Sequence, residues 1–187
     1  MSVLLAVDIG VKTGLALYGQ DGRLLWYRSQ NFGSTERLRR GIRGVLDTLG
    51  ATVSAQGFGR PVPYPPDTAL GATVSAQGAA LPHLAWLVLE GGGPLADVWI
   101  HAATRRHIPV RQISAEVWRR QFLYAREQRS GIQAKESATD LARRVITWSG
   151  ARRPTSLRDD AAEAILIGLW GILAVGWLAH LPAAIRR

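Results

Sequence analysis

The feature that most constrains the fold is where the acids fall relative to the apolar runs. Residues 3–8 read Val-Leu-Leu-Ala-Val-Asp, an apolar run closed by Asp8. Residues 84–90, Leu-Ala-Trp-Leu-Val-Leu-Glu, repeat the pattern and close on Glu90. Unbroken apolar runs of this length between turn signals read as buried strands. A carboxylate at the end of such a strand loses its hydration unless something pairs with it. Gly10 and Gly14 follow the first acid and Gly91, Gly92 and Gly93 the second, so the backbone is expected to turn closely at both places. If the two strands are parallel neighbours, Asp8 and Glu90 emerge side by side. A shared divalent cation would then relieve their repulsion. The plainer alternative for Asp8 is a cap on the glycine turn.

A third acidic group, Asp159-Asp160-Ala-Ala-Glu163, stands at the head of a long apolar stretch. Asp160 and Glu163 are three residues apart and share a helix face. Acids at a helix N-terminus are favoured by its dipole alone, so one such group proves little. Three converging groups are a different matter: they would make a site for two ions about 4 Å apart. One ion would activate a water, and the other would stabilise the leaving oxygen of a phosphodiester.

Between these points the pattern predicts further strands at 15–18 and 24–31, joined by the turn Gln20-Asp21-Gly22. Ser34 is placed to cap a helix to about Leu49, with Leu38, Ile42, Val45, Leu46 and Leu49 inward and Arg37, Arg39, Arg40 and Arg43 outward. Pro94 should open a helix to about His107, followed by a strand at 109–113 and a helix capped by Ser114 that holds Trp118 and Phe122. Residues 126–133 read as a basic loop, and 135–149 as an amphipathic helix stopped by Gly150. The last helix should start near Asp159. Three strands, helix, strand, helix, strand and then helices make an α/β fold with a central mixed five-stranded sheet flanked by helices. The length of 187 residues suits one domain.

The irregular part is an insertion at about residues 50–82. Gly-Ala-Thr-Val-Ser-Ala-Gln-Gly occurs at 50–57 and again, unchanged, at 71–78, with a proline-rich stretch between the copies. The unit is too short for a solenoid. It reads as a duplicated surface loop or as a flap over a substrate groove.

A formal charge of +9 and a pI near 11.1 point to a polyanionic partner, nucleic acid before an anionic membrane. Arginine supplies nearly all of it, since Lys12 and Lys135 are the only lysines. Arginine's planar fork suits phosphate oxygens, although genome composition can produce the same bias. Lys12, Arg119, Arg120, Arg126, Arg129 and Lys135 are the residues expected to meet nucleic acid. The absence of cysteine excludes disulfides and thiolate-bound zinc. Residues 164–179 are continuously apolar but shorter than the roughly 20 residues of a membrane span. A buried helix and a cytoplasmic protein, not associated with membrane, are the expectation.

These pieces resemble the RuvC-type Holliday junction resolvases of the RNase H-like superfamily, including phage and plastid relatives. The matching stretches are Ala6-Val-Asp8-Ile-Gly10-Val-Lys12-Thr-Gly14-Leu-Ala, Leu87-Val-Leu-Glu90 and Arg158-Asp-Asp160-Ala-Ala-Glu163-Ala. Val110 to Phe122, with Ile113-Ser114 and Trp118, is similar to the segment after the fifth strand in those relatives. The resemblance covers most of the chain outside residues 50–81. It implies a homodimeric endonuclease that cuts branched DNA, four-way junctions in recombination and repair, with two Mg²⁺ ions per site or Mn²⁺ in their place. Asp8, Glu90, Asp160 and Glu163 would be the catalytic metal ligands, with Asp159 as substitute if the register slips by one. Lys135 would approach the scissile phosphate.

Two departures stand out. An aromatic that follows the glutamate in bacterial RuvC is replaced by Gly91, Gly92 and Gly93, and the next helix is short. Phe122 or Tyr124 could supply a stacking wedge, with a core place the simpler reading for Phe122. Trp170 and Trp177, seven apart, could form a dimer face on the last helix. The opening motif is also similar to YqgF-type proteins linked to ribosomal RNA processing, which generally lack the glutamate. It bears a looser likeness to actin-like ATPases and sugar kinases. A non-catalytic DNA-binding protein on the same fold is the remaining alternative.

Overall fold

A computed structural model describes residues 1–50 and 83–186. The repeated octapeptide and the proposed flap lie outside the described residues, Gly50 excepted.

The chain opens with an antiparallel meander: β1 (Ser2–Asp8), β2 (Lys12–Gly19) and β3 (Leu24–Asn31). Helix α1 (Thr35–Gly50) follows, then β4 (His83–Glu90), α2 (Pro94–Thr104) and β5 (Val110–Ile113). Helices α3 (Ala115–Phe122), α4 (Gly131–Ser149) and α5 (Asp159–Ala174) complete it, with one 3-10 turn at Ala125–Gln128. The sheet order is β3-β2-β1-β4-β5, with β4 parallel to both β1 and β5. The expected mixed five-stranded sheet flanked by helices is what forms.

Alternation along β1 divides the core. Val3, Leu5 and Val7 face a layer containing Leu38, Ile42, Leu46 and Trp99 of α1 and α2. Leu4 and Ala6 face the other, with Leu141, Ala142 and Val145 of α4 and Ile165, Leu166 and Leu169 of α5. Asp8 continues the Leu4–Ala6 side, and Glu90 continues the side of Trp86 and Val88. Both carboxylates therefore stand on the α5 side of the sheet.

Helix α5 lies almost on the strands. The buried Tyr18 hydroxyl donates to the Ile165 carbonyl at 2.7 Å. A Cβ on Gly168 would come 2.3 Å from the Tyr18 ring, so only glycine allows this approach. The apolar run does not stay helical to residue 179: α5 ends at Ala174, and Gly176 turns with φ of 76°. Trp177 therefore lies beyond the helix, half-buried against the core like Trp170, and the two do not share a helical face. Among the described residues no helix is long and apolar enough to cross a membrane.

Three other boundaries differ from expectation. β2 begins at Lys12, so Gly14 is inside a strand and not part of the turn. α2 stops at Thr104, before His107. The basic segment after Phe122 is not all loop: it contains the 3-10 turn, and α4 already starts at Gly131, where the Ser130 side chain accepts from Gln133 N–H at 3.2 Å.

Candidate active site

The site forms where β1 and β4 end together. Asp8 and Glu90 are direct partners in the parallel register, so their backbones are one strand spacing apart, about 4.8 Å. The Ile9 N–H donates to the Glu90 carbonyl at 3.1 Å and carries the pairing one residue past Asp8. Asp160 and Glu163 arrive from the head of α5, which sits over β2. A Cβ on Gly14 would lie 1.9 Å from the Asp160 carbonyl oxygen, so Gly14 is what lets the helix head reach the strand ends.

The electrostatics show that the four acids share one environment. The Asp8 pKa is pushed up to about 8 by burial first, then by the charges of Glu163, Glu90 and Asp160, with Arg119 opposing. Burial also raises Glu90; a Trp118 hydrogen bond lowers it, Glu163 raises it and Arg119 lowers it. All four acids are half-buried. Asp159, by contrast, is exposed and pairs with Lys135 Nζ at 3.3 Å, outside the cluster. Of the two neighbouring aspartates, Asp160 acts on Asp8 and Asp159 pairs with Lys135 of α4.

Three of the acids are each held by a side-chain donor, two from α3 and one from β3. The Trp118 indole N–H, on α3, donates to Glu90 Oε2. The Ser29 hydroxyl, on β3, donates to Asp160 Oδ2. Arg119 Nη2 donates to Glu163 Oε1 at 2.8 Å. The sequence reading offered neither Ser29 nor Trp118 as a hydrogen-bond partner of the acids. Register offers the missing signal for Ser29: it pairs with Gly14 on β2, the residue against which Asp160 rests.

The residues expected to meet nucleic acid divide into two groups. Lys12, Arg120, Arg126, Arg129 and Lys135 are exposed. Arg120 pairs with Glu116 on its own helix, and Arg126 lies over the exposed Tyr124 ring, 5.0 Å from its centre. Arg119 departs from this pattern because it turns inward to Glu163. Phe122 is buried, so of the two aromatics offered as a wedge only Tyr124 is exposed.

Whether these acids suit a metal is a question of donor type and of placement. Among the described residues, no three acidic or histidine side chains lie close enough to grip an ion as they stand. The donor set itself fits a hard divalent cation: only carboxylate oxygens, partly buried, with burial first and the neighbouring acids second pushing Asp8 up to about 8. The present partners of Glu90, Asp160 and Glu163 are hydrogen-bond donors occupying oxygens an ion would use.

A mixed five-stranded sheet in the order β3-β2-β1-β4-β5, flanked by helices, is the RNase H-like fold. Within that class, the chain is similar in structure to Thermus thermophilus RuvC in complex with Holliday junction substrate. The TM-score is 0.54 and the sequence identity 15%, over 94% of this chain and 96% of that one. A second Thermus thermophilus RuvC structure gives the same TM-score and identity over 93% of this chain and 96% of that one. No family model matches the sequence. No curated protein matches it either.

Proposed function

We propose that this chain is a metal-dependent endonuclease that cleaves phosphodiesters in branched DNA, with the four-way junction as its substrate. The observation that carries the reading is the convergence of Asp8, Glu90, Asp160 and Glu163, from three distant segments, on one end of the sheet. A structural protein has no use for four repelling, half-buried carboxylates there, and acids facing phosphates without a cation would oppose binding. The similarity to a RuvC that binds a Holliday junction supports DNA as the substrate class.

Asp8, Glu90, Asp160 and Glu163 would hold two Mg²⁺ ions, or Mn²⁺ in their place. Bound there, the ions would supply Lewis-acid stabilisation of charge on the phosphodiester. The chain's own groups do the rest. Trp118 and Ser29 each bond one oxygen of Glu90 and Asp160 and would orient these acids toward an ion on the other oxygen. Lys135, exposed and paired with Asp159, would approach the scissile phosphate. Lys12, Arg120, Arg126 and Arg129 would grip the flanking backbone. A four-way junction presents two equivalent strands while each chain carries one acidic cluster, so the paired cut calls for a homodimer.

The test is a cleavage panel of four-way, forked, duplex and structured-RNA substrates in Mg²⁺, with wild type and Asp8→Asn. Cutting of the four-way junction that disappears in the variant, with junction binding retained, is the expected result. Preference for structured RNA would move the assignment to ribosomal RNA processing. Binding without cleavage by wild type would leave a DNA-binding protein.

A further inference from the structure

The Arg119 side chain is in an unusual place for a residue on an exposed helix. Its guanidinium reaches into the acidic cluster and pairs with Glu163, whose side chain is only 13% exposed. Its charge also acts on Asp8 and Glu90, so a single cation serves three of the four acids. It lies over Trp118, 5.2 Å from the ring centre, and Trp118 in turn holds Glu90. The pose is not a fully satisfied one: Arg119 Nε is buried and donates to nothing. On its outer side Arg119 lines a cavity of about 440 Å³ together with Ser114, Glu116, Gln128 and Ser130. A cavity of that size accommodates a guanidinium group.

We infer that Arg119 is a built-in counter-cation of the acidic cluster, occupying Glu163 until a divalent ion displaces it into the neighbouring cavity. The inference rests on the metal reading of the four acids and adds a competitor that sets their affinity. The Arg119 bond to Glu163 Oε1 competes with an ion for that oxygen's lone pairs, and a guanidinium within a few ångströms repels an incoming ion. Removing it frees a ligand and a charge at once. A neighbouring charge at this range changes proton affinity by about one to three decades, and a divalent ion responds at least as strongly. Without Arg119 the cluster should bind ions about tenfold more tightly or better. The cost is an apo protein with four acids and no nearby counter-charge.

The experiment is calorimetric titration of Mn²⁺ into wild type, Arg119→Gln and Arg119→Lys at fixed ionic strength, with thermal unfolding in chelator and in saturating Mn²⁺. Arg119→Gln should bind about tenfold tighter, melt lower than wild type in chelator, and close that gap in Mn²⁺. Arg119→Lys, which keeps the charge, should stay near wild type. Equal Mn²⁺ affinity in all three proteins overturns the inference while leaving the metal reading intact. No Mn²⁺ binding to any of the three, all folded, removes the metal reading and the inference with it. Should Arg119→Gln not fold, wild type with ¹⁵N-labelled arginine decides. The Arg119 Nε–H resonance should move as Mg²⁺ saturates, and a resonance that stays still overturns the inference.

Discussion

Asp8 and Glu90 stand opposite each other in register on parallel strands, although 81 residues lie between them in the chain. Their repulsion is built into the backbone pairing and cannot be relaxed without breaking the sheet. This gives Asp8 a pH signature. Its folded pKa of about 8 exceeds the ordinary 3.8, so between those values the folded protein holds a proton that the unfolded chain has released. Stability of the metal-free protein should therefore fall as pH rises from about 4 to 8 and level off above, by on the order of a few kcal/mol. Urea denaturation in chelator across that range checks it. Asp8→Asn should flatten the slope and lower junction cleavage by about 10³-fold or more.

Gly14 is where the helix carrying the other two acids meets the sheet. Gly14→Ala puts a methyl against the Asp160 carbonyl, so either α5 lifts or β2 shifts. A loss of about 1–3 kcal/mol is expected from overpacking, with Mn²⁺ affinity falling in parallel because Asp160 and Glu163 move away from Asp8. A thermal melt alongside metal titration distinguishes this from a purely local defect, in which affinity would stay unchanged.

Trp118→Phe keeps the buried ring and deletes the donor to Glu90. Since that hydrogen bond lowers the Glu90 pKa, its loss should raise it further. The acid limb of the pH–rate profile should move to higher pH, and stability should drop by about 1–3 kcal/mol for the orphaned acceptor. An unmoved acid limb would show that Glu90 does not need to be ionised for turnover.

Arg126 and Arg129, exposed beyond α3, should act on affinity and not on chemistry. Replacing either with Ala should reduce the slope of log binding constant against log salt by about 0.9, the amount for one phosphate contact, with junction preference unchanged. Fluorescence anisotropy at a series of salt concentrations measures this. An unaltered slope would place both side chains off the DNA path.

The parts of this molecule that were legible in its sequence are those governed by local pattern. Apolar runs ending in Asp8 and Glu90 gave the two strand ends, and the amphipathic spacing of Leu141 and Val145 gave α4. The acids converge because both strands are parallel and end level, which the right chain order makes the natural outcome. What escaped were relations set by tertiary contact. Gly14 looked like a turn residue because glycine weakens strands, yet it sits within β2 because α5 lies on it. Arg119 looked like one of several surface cations, and only the packing of α3 beside α5 shows it facing Glu163. Ser29 carries no local signal at all. Its role depends on a cross-strand register with Gly14.

Helix α5 is pinned at two points of its contact with the sheet, by Gly14 under its head and by Tyr18 bonded to Ile165 under its middle. Asp160 and Glu163 are thereby tied to the deeply buried part of the molecule. Trp118 and Arg119, which bond Glu90 and Glu163, come from α3, outside that contact. Substitutions on α3 therefore change the surroundings of these acids while leaving the seat of α5 on the sheet intact.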